Sequence, residues 1–131
     1  MKIASTIARY LLGLMFTVFG LNGFLQFIHQ PPPTEPLVLQ FLVAVSASHF
    51  AAFFFAIQVL GGLLLLSGYF VPLALILLAA ELYNILAFHL MFQAGSSIGP
   101  GLLACVLWVL VFLQYRANFN SILTPKSASQ P

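Results

Sequence analysis

The chain has 131 residues, of which 62% are hydrophobic and only 5% are charged. Soluble domains carry about 25% charged residues, so this chain cannot cover a water-facing surface of its own. The composition therefore predicts an integral membrane protein. It excludes a soluble globular domain, and the four cations give no reason to expect nucleic-acid binding.

Four long apolar segments predict four membrane-spanning helices in one domain that covers residues 1–116. A span needs about 20 apolar residues, because each helical residue rises about 1.5 Å across a hydrocarbon core of about 30 Å. Ser5 or Thr6 is the expected N-cap of the first helix, and the three prolines after Gln30 end it. The predicted spans cover about 5–28, 49–66, 71–92 and 98–115.

Glycine and proline residues mark the connections and one contact face. Gly68 and Pro72 leave only a few residues between the second and third spans, so these spans are expected to form an antiparallel hairpin. Pro100 belongs in the first turn of the fourth span. Gly13 and Gly20 share one face of the first span, which predicts close contact with a neighbouring helix.

A shorter apolar segment, about residues 36–48, lies between the first and second spans. It is too short to cross a bilayer, and its larger apolar residues share one face. These features predict an interfacial or re-entrant helix, with one strongly tilted helix over 36–66 as the alternative. The polar composition of residues 117–131 predicts a flexible tail in water.

The cations predict the orientation of the bundle. With four spans, both ends of the chain lie on the same side of the membrane. All the cations lie near those two ends, and the positive-inside rule therefore places both termini in the cytoplasm. The four cations are Lys2, Arg9, Arg116 and Lys126.

The polar side chains of the spans fall mostly in the half of the bilayer away from the termini. At about 1.5 Å per residue, Glu81 lies roughly 16 Å from the outer end of its span, near the midplane. Polar groups in lipid are costly unless they are paired, so these side chains should face each other or water. We therefore expect an outward-facing polar funnel with Glu81 at its floor. The candidate ligand-binding residues are Asn22, Gln26, Gln58, Glu81 and Asn84, and the candidates for proton handling are Glu81 and His89.

Each candidate also has a purely structural interpretation. Glu81 can be a neutral carboxyl group that hydrogen-bonds to Asn84 or Gln58, and amide side chains commonly join neighbouring membrane helices. The spacing of the three histidines matches no metal site. Cys105 fits a small packing residue, and the sequence contains no catalytic motif.

Three stretches resemble the DoxX family of small bacterial membrane proteins. They are ARYLLGLMFTVFGLNGFLQF at 8–27, QVLGGLLLLSGYFVPLAL at 58–75 and NILAFH at 84–89. The resemblance implies a four-helix bundle in the bacterial cytoplasmic (inner) membrane. A few members are described as membrane subunits of redox systems, including a thiosulfate:quinone oxidoreductase. The sequence departs from the family pattern at three positions: many members have a lysine in place of Gly23 and an acidic residue in place of Gln58, and most are apolar at Glu81.

Three functions fit this sequence. The first is a membrane subunit of a redox-associated complex that binds a quinone-like or other small apolar ligand in the funnel. The second is a small-solute or proton-coupled permease component, and the third is a ligand-free membrane scaffold or assembly protein. The lipid bilayer is the expected environment, with a redox partner subunit or a homo-oligomer as the candidate assemblies. Quinone is the one cofactor that the first hypothesis implies.

Overall fold

The computed structural model describes all 131 residues and contains helices but no strands. The α-helices are α1, Lys2–Leu25; α2, Pro36–Ala47; α3, Phe50–Ser67; α4, Val71–Phe92; and α5, Gly99–Tyr115. A 3-10 helix, Arg116–Phe119, continues directly from α5. Four segments are each long and apolar enough to cross a membrane: α1, α3, α4, and α5 together with the 3-10 helix. The predicted all-α architecture, with four spans and a short helix between the first two, is confirmed.

The boundaries of α1 differ from the prediction at both ends. The helix begins at Lys2, so Ser5 is buried inside it and the hydroxyl of Thr6 donates to the Lys2 carbonyl oxygen at 2.9 Å. The predicted cap at Ser5 or Thr6 is therefore wrong. The helix ends at Leu25, three residues early, because Gln26 adopts a left-handed conformation with a φ of 51°.

The short connection between α3 and α4 has the predicted form. Gly68 ends α3 with a φ of 78°, and its N–H donates to the Leu64 carbonyl oxygen at 3.0 Å. Pro72 lies in the first turn of α4, where its missing N–H leaves no helical hydrogen bond unmade. The two helices consequently run antiparallel, and Gly61 of α3 packs directly against the side chain of Leu78.

The four spans form a closed ring in which α1 contacts α3 and α5, and α4 contacts the same two helices. Glycine residues allow α1 and α3 to approach closely. A Cβ atom on Gly62 would lie 2.4 Å from Thr17 Oγ1 and 2.9 Å from the Gly13 carbonyl oxygen. A Cβ atom on Gly20 would lie 2.8 Å from the side chain of Val59. The predicted contact role of Gly13 and Gly20 is confirmed.

The side of the bundle that holds both chain ends is called the terminal side, and the side with α2 and the α4–α5 turn is called the loop side. The terminal half has an apolar core. Arg9 at its edge donates through Nη1 to the Leu65 carbonyl oxygen, near the C-terminal end of α3, where a cation is favourable. The core includes Ala8, Leu12, Phe16, Leu65, Leu75, Leu78, Leu107 and Val111.

Large apolar side chains also cover the outside of the ring. Phe53 is 75% exposed and Val106 is 58% exposed, for example, and similar side chains recur along every span. A surface of this kind is unsuited to water and suited to lipid chains. The chain is therefore a multi-pass membrane protein.

α2 is a separate helix that packs against the loop side of the bundle. It ends at Ala47, and His49 has a φ of 60°, so α2 does not continue into α3 as the alternative prediction had it. Val38 is buried, and the ring of Phe41 lies 4.9 Å from the ring of Phe92. The apolar face of α2 thus points toward the bundle.

The first residues after α5 are more ordered than a flexible tail. Phe119 of the 3-10 helix is only 6% exposed, and its ring lies 5.1 Å from that of Phe112. This contact holds Arg116–Phe119 against the terminal side of the bundle. After Asn120 the chain forms turns and irregular structure.

Candidate functional site

A cavity of about 900 Å³ lies in the loop half of the bundle. α1, α2, α4, α5 and the segment between α1 and α2 supply most of its wall. From Gln93 near the mouth to Leu82 near the floor, α4 alone rises about 16 Å, so the cavity reaches well into the membrane. We call it the polar cavity, because its lining includes Gln30, Thr34, Glu35, Gln58, His89, Gln93, Ser96 and Ser97.

One wall of the polar cavity is the segment from Gln30 to Glu35. Its three consecutive prolines lack N–H groups and fix φ near −65°, so the segment needs no regular hydrogen-bonding partner. Its path is set by the end of α1, where Asn22 Oδ1 accepts a hydrogen bond from the Ile28 N–H at 2.7 Å. Together with the left-handed Gln26, this bond turns the chain out of the helix.

Gln58 and Glu81 form the deepest polar pair of the bundle. Gln58 lines the cavity, and its side chain lies close enough to the Glu81 carboxyl group to influence it electrostatically. The α3–α4 hairpin explains why these two residues are close. Gly61 of α3 contacts Leu78 of α4. Gln58 lies three residues before Gly61 and Glu81 lies three residues after Leu78, so the antiparallel helices bring them to the same level. Gln58 is 4% exposed and Glu81 is 5% exposed. Ser5 is the one other buried polar residue of the chain.

The Glu81 carboxyl group has unused hydrogen-bonding capacity. Its Oε2 atom is buried and has no hydrogen-bond partner within the chain. A buried polar atom without a partner is costly, and such atoms are rare in folded proteins. Glu81 does not itself line the cavity, so Gln58 is the side chain that connects the carboxyl group with the cavity space.

His89 on α4 and Gln93 directly after it lie nearer the mouth, and both line the polar cavity. His89 Nδ1 lies 2.8 Å from the Ile85 carbonyl oxygen. A carbonyl oxygen only accepts hydrogen bonds, so Nδ1 is the donor in this contact, and Nε2 has no hydrogen-bond partner within the chain. Gln93 Oε1 is buried and has no partner. The cavity wall therefore offers two further groups to a ligand.

Besides Glu81, which lies behind the cavity wall, three predicted site residues lie outside the polar cavity. The side-chain oxygen of Asn22 is occupied by the Ile28 N–H, and Gln26 is exposed at the end of α1. Asn84 is exposed on α4, and its amide donates to the Ala80 carbonyl oxygen at 2.9 Å. Asn84 follows Glu81 by three residues and is only about 60° away around the helix, yet Glu81 is buried and Asn84 is exposed, so the edge of the buried face runs between them. The structure thus brings Gln58 and Glu81 together and leaves the other three residues elsewhere.

The sequence interpretation did not include several residues that line the cavity. Three of them, Glu35, Ser96 and Ser97, lie in loops, and an analysis of helix faces does not cover loops. The fourth, Gln93, is the C-cap residue of α4. One sequence signal does point to them. The proline run and the Gly-Ser turn both lie on the same side of the membrane as the polar ends of the spans.

The charges of the chain are divided between its two sides. Glu35 lines the mouth of the polar cavity, and Glu81 lies behind its floor. These are the only acidic residues, and the lining contains no lysine or arginine. Such a cavity favours a neutral or cationic ligand over an anion, because a buried anion would have no cation to pair with.

No group of three or more histidine, cysteine or acidic side chains is placed to hold a metal ion. The arrangement offers instead an amide, an imidazole nitrogen and a buried carboxyl group beside apolar walls. These groups suit a small ligand that carries carbonyl or hydroxyl oxygens. Comparisons with protein-family models, curated proteins and solved structures find no match for the chain.

Proposed function

We propose that this membrane protein is a subunit of a redox-associated complex and binds a quinone-like apolar ligand in the polar cavity. The observation that supports this most is the Gln58–Glu81 pair at the floor of a cavity of about 900 Å³. Sites for small molecules usually measure about 300–1,000 Å³ and combine apolar walls with a few placed polar groups. The resemblance to DoxX proteins agrees with a redox assignment.

The residues of the cavity fit a quinone in both of its states. The Gln58 amide can donate a hydrogen bond to a ring carbonyl, and Phe16 and Leu82 supply apolar wall. A quinol presents hydroxyl groups instead, and the unpartnered Gln93 Oε1 can accept from one of them. A quinone takes up two electrons and two protons to become a quinol. In this proposal a partner subunit with a redox centre supplies the two electrons, Glu81 exchanges one proton, and water at the open mouth of the cavity exchanges the other.

The distribution of charge supports one orientation. The cations lie near the two ends of the chain, and both ends belong to the terminal side. Under the positive-inside rule the terminal side faces the cytoplasm, so the polar cavity opens to the outside. By the family resemblance, the membrane is a bacterial cytoplasmic (inner) membrane. A reporter fused in the α4–α5 turn at Gly95 should be external, and a cytoplasmic reporter would contradict this orientation.

The permease hypothesis receives less support than ligand binding. Below Gln58 the core of the terminal half is almost entirely apolar: Leu12, Leu75 and Leu78 are each 0% exposed, and Ser5 is its one buried polar residue. A solute that reached the floor would meet this packed layer, and its passage would require the helices to separate. A ligand that binds and leaves on the loop side requires no such rearrangement.

The test is solvent extraction of the purified protein followed by absorbance spectroscopy, with and without quinone in the bilayers used for reconstitution. We expect bound quinone, and we expect Gln58→Leu to lose it. Glu81→Gln should keep the fold and lose any quinone-linked proton uptake, because the amide keeps hydrogen-bonding groups but cannot exchange a proton. Gln114→Leu is the matched control, since it makes the same change at an exposed glutamine of α5 that lines no part of the cavity. Full activity of Glu81→Gln would contradict the proposal, and a scaffold would show no bound ligand at all.

A further inference from the structure

A second cavity lies beside the polar cavity, where α2 crosses the loop ends of α3 and α4. Its volume is about 390 Å³, and 12 of its 14 lining residues are hydrophobic, so we call it the apolar cavity. Phe50 and Met91 at its edge are 66% and 75% exposed. Because these residues lie on the outside of the ring, the apolar cavity opens sideways toward lipid rather than toward the terminal side. The lining includes Phe41, Val45, Ala51, Phe54, Ala87 and Phe92.

The two cavities share a wall. Leu42 of α2 and Ile85, Phe88 and His89 of α4 line both of them. A side chain that contacts both spaces is the only layer between them, so the wall is one side chain thick. The polar and apolar cavities are therefore two ends of one region, separated by rotatable side chains.

The chemistry of the two ends differs in a way that matches one kind of molecule. The polar end offers Gln58, His89 and Gln93, whereas the apolar end offers aromatic rings and a single amide, Asn84. A ligand with a polar ring and a hydrocarbon chain would place each part in the matching end. The ligand's hydrocarbon tail would move from lipid into a cavity of similar polarity, so burial of the tail gains little hydrophobic free energy. The apolar cavity instead aligns the ligand.

We propose that the ligand is a membrane-resident amphiphile that reaches the site sideways from the bilayer, with its ring in the polar cavity and its hydrocarbon tail in the apolar cavity. This inference rests on the proposed function, which it narrows from any small quinone-like molecule to one with a long tail. To enter the polar cavity from the apolar cavity, the ring must pass the side chains of Leu42, Phe88 and His89.

The test compares two probes: a benzoquinone with a ten-carbon tail and the same ring with a methyl group in place of the tail. Binding to protein in bilayers is measured at matched concentration of each probe in the lipid. Ala87→Phe fills the apolar cavity and should weaken binding of the tailed probe about tenfold or more while changing the methyl probe by less than about twofold. Ala80→Phe is the matched control, because Ala80 is exposed on the same helix and lines neither cavity.

The outcomes separate the two proposals. If both probes bind the unaltered protein and Ala87→Phe weakens neither, or weakens both equally, the tail does not lie in the apolar cavity and this inference is wrong. If neither probe binds the unaltered protein, the proposed function itself is wrong, and the inference with it. Ala51→Leu fills the same cavity from α3 and should repeat the selective loss if Ala87→Phe fails to fold.

Discussion

Replacing Gly62 with alanine should loosen the contact between α1 and α3. The added Cβ atom would lie 2.4 Å from Thr17 Oγ1, 2.6 Å from the Thr17 backbone nitrogen and 2.9 Å from the Gly13 carbonyl oxygen. Ordinary contacts begin at 3.4 Å, so the two helices must separate by up to about 1 Å. Two of the three atoms belong to the backbone and cannot rotate away.

The size of this effect follows from two opposing contributions. Overpacking costs about 1–3 kcal/mol, and the backbone contacts place Gly62→Ala near the upper end of that range. Alanine is intrinsically better than glycine in a helix by about 1 kcal/mol. We therefore expect a net loss of about 2 kcal/mol in the free energy of unfolding.

The assay is a titration with sodium dodecyl sulfate in mixed micelles, followed by the fluorescence of Trp108, the only tryptophan. Gly99→Ala is the control, because nothing lies within 4 Å of a Cβ atom at that position. It should be neutral or slightly stabilising. If Gly62→Ala were as stable as Gly99→Ala, the close approach of α1 and α3 through glycine would be refuted.

Three further substitutions test other parts of the structure. Trp108→Phe removes the indole N–H that donates to the Leu75 carbonyl oxygen at 2.9 Å, and should lower the free energy of unfolding by about 1 kcal/mol. Its titration is followed by far-ultraviolet circular dichroism, because the variant has no tryptophan. Asn22→Leu removes the acceptor of the Ile28 N–H, so hydrogen exchange at that amide should speed up by about fivefold to tenfold, as measured by mass spectrometry. Phe119→Ala should detach the 3-10 helix, at a cost of up to about 3 kcal/mol, and expose the bond after residue 116 to trypsin.

These three predictions have simple refuting results. Unchanged stability of Trp108→Phe would mean that the indole hydrogen bond does not contribute to folding. Unchanged exchange at Ile28 would mean that Asn22 does not hold the end of α1. For Phe119→Ala the matched control is Phe53→Ala, which truncates a ring that is 75% exposed. Equal trypsin resistance of the two variants would contradict the docking of the 3-10 helix.

The sequence predicts the spans well because each is set by strong local signals. Gly68, Pro72 and Pro100 mark helix ends through backbone geometry, which does not depend on the rest of the fold. The end of α1 was placed three residues too late, because it depends on the left-handed Gln26 and on the side chain of Asn22. The apolar pattern of the span does not indicate the backbone conformation of Gln26 or the hydrogen bond of Asn22.

The sequence predicts the cavity less completely than the helices. It named both Gln58 and Glu81 as candidate residues of the funnel, and the α3–α4 hairpin brings their side chains near each other. Asn84 was predicted to line the funnel with Glu81, but it lies at the edge of the buried face of α4 and is exposed. The loop residues, such as Glu35, depend on how the proline segment folds back over the bundle, which helical periodicity cannot describe.

The central claim is that the polar cavity above the Gln58–Glu81 pair binds the ring of a quinone-like ligand. Its most direct test is photolabelling of the protein in bilayers with a photoreactive quinone, followed by mass-spectrometric mapping of the labelled peptides. We expect label on residues 82–93, at the end of α4, and on residues 30–35, with loss of that label when unlabelled quinone competes. Label spread evenly over the lipid-facing surface, or unchanged by the competitor, would contradict the claim.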